Sequence, residues 1–130
     1  MDAVQLPLSD DTYNVVIDKG TIDCVLCDKE PIARVHKICE RVSKVLLPGG
    51  SFIVYSLGNP EDRKPCFHDE RFGWDLKTYY INKPSLEELR TGNQQEYIPR
   101  EIVTWALEEI DEDKVHFIYV MQKKKKNRRR

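Results

Sequence analysis

Three groups of residues in this 130-residue chain have types and spacing suited to chemistry. Asp18-Lys19-Gly20-Thr21, with Asp23 just beyond, closes an apolar run that ends at Ile17. Polar residues and a glycine at the carboxyl end of a strand are what an open α/β sheet uses to line its ligand crevice. Cys24, Cys27, His36 and Cys39 make a C-x2-C-x8-H-x2-C pattern, which invites a zinc or redox reading. That spacing is not a standard zinc pattern, and free cysteine behaves as a small hydrophobe, so these cysteines and Cys66 are expected to pack in the core. No metal is expected. His68 in a polar stretch and His116 at the start of an apolar run read as surface or hydrogen-bonded histidines. The third group is the run KKKKNRRR at 123–130. It suits nucleic acid, a nuclear address or an acidic surface, and equally a flexible solvated tail. No aromatics interleave with it, so base stacking has no support and any binding is electrostatic and salt-sensitive.

The elements that must position these groups are legible from periodicity. Residues 13–18 read as a strand apolar on both faces, the pattern of an inner parallel strand. Ile32, Val35, Cys39, Val42 and Leu46 then recur at helical spacing, with Ile38 and Val45 beside them, while Arg34, Lys37, Arg41 and Lys44 take the opposite face. Pro48-Gly49-Gly50 is expected to stop this helix and turn the chain into a second buried strand at 51–56. Strand, helix, turn and strand make a βαβ unit. Residues 58–72 read as a polar loop with two prolines, 74–81 as a strand and 115–121 as a last strand. Between those strands, 84–114 reads as a partly helical insertion. Ser85 and Glu88 form a capping box there, and Pro99 is placed to open a helix with Val103, Ala106, Leu107 and Ile110 on one face.

Composition bounds the reading. At 15.3 kDa the chain fits one domain. It is 40% hydrophobic and 33% charged, too apolar for wholesale disorder. No apolar run approaches the roughly 20 residues that span a bilayer, so no membrane is expected. The acidic start has no basic or apolar leader features, and the four cysteines are expected to be reduced thiols in an intracellular protein. Seven of the 21 basic residues sit at 123–130, which leaves residues 1–122 with 14 basic against 22 acidic, a net charge of -8.

The run from Leu6-Pro7-Leu8 through Ser9-Asp10-Asp11-Thr12-Tyr13 to Asp18-Lys19-Gly20-Thr21-Ile22-Asp23 resembles class I, seven-β-strand S-adenosylmethionine (SAM)-dependent methyltransferases. The DKGTxD form is similar to the branch holding the elongation factor 1A lysine methyltransferases and the citrate synthase lysine methyltransferase. The stretch Arg41-Val42-Ser43-Lys44-Val45-Leu46-Leu47-Pro48-Gly49-Gly50-Ser51-Phe52 resembles that family's RVLxPGGxF turn. Arg63-Lys64-Pro65-Cys66 with Phe72-Gly73-Trp74, and the strand from His116 to Met121, are similar as well. The resemblance implies an α/β fold: a partial Rossmann-like methyltransferase sheet, strands 4 to 7, with flanking helices. It implies a domain part at 1–122 containing the 84–114 insertion, then the basic tail at 123–130.

The resemblance also implies SAM as cofactor and a protein lysine as substrate. Asp2 and Ala3 match the family's adenine-side contact, and Lys19 matches a cofactor contact, read as one to its carboxylate. Asp18 would orient the acceptor amine as the catalytic residue, and Asp23 would recognise a cationic substrate. The plain alternatives are a turn cap for Asp18, a solvated charge for Lys19, a helix-start residue for Asp23 and a disordered terminus for Asp2. The family's glycine-rich cofactor loop has no counterpart here, since the six glycines form no GxG. Met1 then reads as an internal family position, and activity is expected to need the absent half. The alternative is a non-catalytic half-domain that acts as an interaction module. Its first strand would be an apolar edge open to self-association, and its basic tail would meet acidic surfaces. The expected compartment is cytoplasmic, or mitochondrial if a transit peptide precedes Met1 in a longer form.

Overall fold

The computed structural model describes residues 9–27, 29–92, 98–103 and 110–125. Strand β1 (Tyr13–Lys19) runs into helix α1 (Thr21–Val25) and then α2 (Pro31–Val45). Strand β2 (Leu46–Ser56), helix α3 (Pro60–Phe67), strand β3 (Trp74–Asn82) and helix α4 (Leu86–Thr91) follow. The short strand β4 (Arg100–Glu101) and the last strand β5 (Val115–Lys123) complete one five-stranded sheet of order β1-β2-β5-β3-β4. β1 is parallel to β2, with Val16 opposite Phe52 and Lys19 opposite Tyr55. β5 lies antiparallel between β2 and β3. No helix among the described residues is long and apolar enough to cross a membrane.

The alternation of β2, β5 and β3 sends one set of side chains toward α2 and α3. Phe52, Val54, Phe117, Tyr119 and Met121 are buried there with Val35, Ile38, Cys39 and Val42 of α2. Rings from separate segments lock this face together. Trp74 lies within 5.1 Å of Phe72 and 6.0 Å of Phe52, and Phe67 within 5.3 Å of Tyr119, all tilted as aromatic pairs prefer. The Trp74 indole N–H donates to the Phe67 carbonyl at 2.9 Å, so the one polar atom of that ring is satisfied inside the core.

Several expectations are corrected. The helix ends at Val45, and Pro48-Gly49-Gly50 lies within β2. The backbone N–H groups of Asp11 and Thr12 donate to the carbonyls of Lys44 and Val45, taking two of the helix's terminal acceptors, and the chain then continues extended. The β1–β2 register slips between Tyr13 and Val15, and this bulge absorbs the extra residues with Gly49 at φ +85°. Gly50 faces the carbonyls of Leu47 and Asn14 so closely that a Cβ would meet them at 2.8 and 2.9 Å. Residues 58–72 are not a loop: they contain α3 and a 3-10 turn at Glu70–Phe72. Asn59 caps α3 by accepting the Asp62 N–H at 2.9 Å, and Pro60 occupies its first turn. Only Pro60, Cys66 and Phe67 of that helix are buried, so no apolar stripe announces it.

The capping serine is present, Ser85 accepting the Glu88 N–H at 3.1 Å. Pro99 opens no helix: Arg100 and Glu101 are extended and pair with Tyr80 and Tyr79 of β3. Ala106 and Leu107 lie outside the described residues, Val103 is exposed, and Ile110 packs against the core. β1 is not buried on both faces. It is the edge of the sheet, with Tyr13, Val15 and Ile17 exposed at 37%, 50% and 65%. At the other end of the chain, Lys123 belongs to β5. Its ammonium donates to the Leu46 carbonyl at 2.7 Å and to the Asp11 carboxylate at 3.1 Å. Residues 126–130 of the basic run lie outside the described residues.

Candidate functional site

The carboxyl ends of β1 and β2 lie side by side and carry the polar residues singled out in the sequence. β1 delivers Asp18 and Lys19 to opposite faces because successive strand residues alternate. Asp18 is half-buried on the helix side of the sheet. Its carboxylate accepts the Ile22 N–H at 3.1 Å and so satisfies a free donor at the start of α1. That is the capping role. Lys19 is exposed on the other face and, among the described residues, has no ion-pair partner. Gly20 follows at φ +88°, with open space where a side chain would be, so the turn into α1 leaves room beside Lys19. Asp2 and Ala3 lie outside the described residues.

Asp23 is the most engaged of these side chains. One carboxylate oxygen accepts the Ser56 hydroxyl at 2.6 Å and lies 3.4 Å from the Arg63 guanidinium. The other accepts the Leu57 N–H at 3.0 Å. Arg63 also donates to the Ser56 hydroxyl at 3.1 Å, and that oxygen accepts the Gly58 N–H at 3.0 Å. The Tyr119 hydroxyl donates to the Gly58 carbonyl. Burial pushes the Tyr119 phenol far up, outweighing Arg63, so it remains a neutral donor. Thus α1, β2, α3 and β5 are tied into one rigid turn at the strand ends. A Cβ at Gly58 would meet the Arg63 guanidinium carbon at 2.2 Å, so any side chain there would push Arg63 off its present contacts.

The structure therefore splits the expected constellation. Asp18 and Asp23 are held within the helix-bearing face, and Lys19 points to the other. Near Lys19 on that second face stands His116, on β5 opposite Ile81. Its imidazole is held below its ordinary pKa, first by burial and then by Lys83 and Lys19, so it is neutral at pH 7. Sequence reading missed Ser56 and Arg63 as the partners of Asp23, and His116 as the neighbour of Lys19. Only strand registry and the unforeseen α3 bring them there, and nothing in their spacing signals it.

The cysteines also divide. Cys39 and Cys66 are buried, the Cys39 thiol 3.8 Å from the Cys66 carbonyl, which is the core role expected of them. Cys24 and Cys27 are exposed, which corrects the expectation that they pack in the core. α1 is one short turn, and its buried residue is Ile22, leaving both thiols on the outer side. His36 bonds the Pro65 carbonyl at 3.3 Å and meets the edge of Phe72, away from any thiol cluster. Among the described residues no three metal-ligating side chains gather.

No family model matches the chain. It is similar to the mouse eEF1A lysine and N-terminal methyltransferase, with 36% identity over 84 residues, 62% of this chain and 12% of that protein. It is 30% identical to the human mitochondrial citrate synthase-lysine N-methyltransferase over 68 residues, 52% of this chain and 28% of that one. The chain thus spans well under half the length of these relatives. Among solved structures, it is similar to a candidate DNA modification methylase of Thermus thermophilus complexed with S-adenosyl-L-methionine. That TM-score is 0.56 at 12% identity, covering 99% of this chain and 56% of that one. Strand order, helix placement and sequence agree: the chain has part of the class I, Rossmann-like methyltransferase fold and resembles, in sequence, the branch of the elongation factor 1A and citrate synthase lysine methyltransferases.

Proposed function

We propose that this chain is part of a SAM-dependent protein-lysine methyltransferase, acting in the cytoplasm. The observation that carries the reading is the Asp18-Lys19-Gly20 turn at the carboxyl ends of two parallel strands, in a chain that resembles that branch. SAM, when bound, supplies an electrophilic sulfonium methyl. The residues present fit one end of it. Lys19 is an exposed cation without an ion-pair partner among the described residues, beside an open glycine turn, and suits the carboxylate. Asp2 and Ala3 are assigned the adenine side by resemblance. A lysine amine must be neutral and collinear with the breaking bond to react, and positioning of that kind is worth about 7–11 kcal/mol. Asp18 has lone pairs beyond the one that Ile22 uses, and we assign it to orient the amine. Asp23 has both oxygens taken, so we assign it to hold the Ser56–Gly58 turn rather than to touch substrate.

Because the 130 residues contain no GxG loop, activity on this reading needs a glycine-rich segment from outside them. The test is the longest reading frame containing this chain, supplied with methyl-labelled SAM and elongation factor 1A or citrate synthase. Labelled lysine, lost in Asp18→Asn and weakened in Lys19→Ala, is the expected result. No label on either protein, or label indifferent to both variants, overturns it. The 130-residue chain alone should give no heat with S-adenosylhomocysteine up to millimolar concentration.

One observation favours a second reading, an interaction half-domain. β1 is a seven-residue sheet edge with three exposed apolar side chains, and such an edge recruits a further strand. Self-association of the 130-residue chain through β1, without cofactor binding, is what this reading expects.

A further inference from the structure

We propose that Cys24 and Cys27 form a surface dithiol–disulfide site, closed by exchange with a low-molecular-weight disulfide of the glutathione type. The two thiols are exposed, whereas Cys39 and Cys66 are buried. The thiolate is the attacking species, and burial pushes both core thiols upward, so exchange is confined to the exposed pair.

The backbone turn brings the two residues close enough for a bridge. The Cys27 N–H donates to the Cys24 carbonyl at 3.1 Å, which closes a turn between them. A turn of that kind holds its end Cα atoms within about 7 Å. A disulfide spans Cα separations of about 4.4–6.8 Å. The turn is anchored at its start, where the Cys24 N–H donates to the Gly20 carbonyl at 3.0 Å. Among the described residues, the one hydrogen bond of either thiol is weak, donated by Cys27 Sγ to the Asp23 carbonyl at 3.4 Å. No metal-ligating cluster among the described residues competes for the pair.

The step balances as follows. One cysteine thiolate attacks the small disulfide, forming a mixed disulfide and releasing one small thiolate. The second cysteine thiolate attacks the protein-side sulfur and expels the other. Two cysteine thiols lose two protons and two electrons, and the small disulfide is reduced to two thiols. Bridging replaces the contact of Cys27 Sγ with the carbonyl of Asp23, the residue whose carboxylate fastens Ser56, Leu57 and Arg63. The pair thus lies beside the strand-end turn, and its oxidation alters a contact of the residue that holds that turn.

The test incubates the folded 130-residue chain with glutathione disulfide, blocks the remaining thiols by alkylation and reads intact mass and tryptic peptides. The expected product has lost two hydrogens before alkylation, with the bridge inside the peptide of residues 20–29 and with Cys39 and Cys66 free of glutathione. Cys24→Ser and Cys27→Ser, both surface changes, should each lose the bridge and gain a single glutathione adduct at the surviving thiol. A wild-type chain that collects separate adducts at Cys24 and Cys27, or stays unoxidised, overturns the proposal. So does a bridge that persists in either variant.

Discussion

The two faces of the sheet are built by the same strands and have opposite fates. Toward α2 and α3, Phe117, Tyr119 and Met121 have no exposure, and aromatic rings from five segments interlock. On the other face Val15 and Ile17 are exposed, Ile53, Tyr55 and Val120 are half-buried, and only Ile118, at the central position between Tyr55 and Tyr79, is sealed. The difference separates jobs. The covered face stores the stability and anchors Asp18 and Asp23. The open face presents Lys19 and His116.

The most severe test of this comparison is a pair of truncations. Phe117→Ala on the covered face should cost about 3–5 kcal/mol in urea unfolding, because it leaves a cavity among fixed neighbours. Ile17→Thr on the open face should stay within about 0.5 kcal/mol. Equal costs would end the distinction. Next in size is Asp23→Asn. It leaves Arg63 without its ion pair and loosens Ser56 and Leu57, and the expected loss is about 2 kcal/mol, allowing for the partial exposure of both charges. A loss confined to a few tenths would mean that the strand-end turn is not a rigid unit.

A third test concerns the edge. Ile17→Lys should leave unfolding nearly unchanged yet lower the sedimentation coefficient of concentrated protein toward the monomer value, since charge on an edge strand blocks strand addition. No change would remove β1 as a contact. The smallest effect is a titration shift. Lys19→Ala should raise the His116 pKa, followed by NMR, because one of the cations that depress it is gone. The linked effect on stability has a definite sign. A histidine with depressed folded pKa binds fewer protons folded than unfolded, so its contribution is full above the unfolded value near 6.5 and falls as the pH drops below it. His116→Gln should flatten that part of the acid limb.

Much of the covered face was readable in advance. Val35, Cys39 and Val42 recur at helical spacing, and residues 52–55 and 117–121 are unbroken apolar runs, so α2, β2 and β5 stand out. α3 does not. Its order comes from the Asn59 cap, Pro60 and the seating of Phe67 against Tyr119, none of which produces periodicity. One rule of cysteine burial treats all four alike, yet α2 carries Cys39 into the core while the single turn of α1 and the residues after it leave Cys24 and Cys27 outside. For the candidate site, Asp18, Lys19 and Asp23 were legible as a polar strand end. That Asp23 is fully engaged and Lys19 unpaired among the described residues was not, since both facts depend on residues distant in the chain.

Residue types and their order determined the α/β class, the β1–α2–β2 unit, the strand-end position of Asp18-Lys19-Gly20 and the family resemblance. These follow from local spacing, which the chain carries wherever it is placed. Tertiary structure alone decided that Ser56, Arg63 and Gly58 close around Asp23 and that His116 comes near Lys19. The physical reason is that strand pairing and helix docking join residues tens of positions apart, and only those pairings decide which polar groups are satisfied and which remain available.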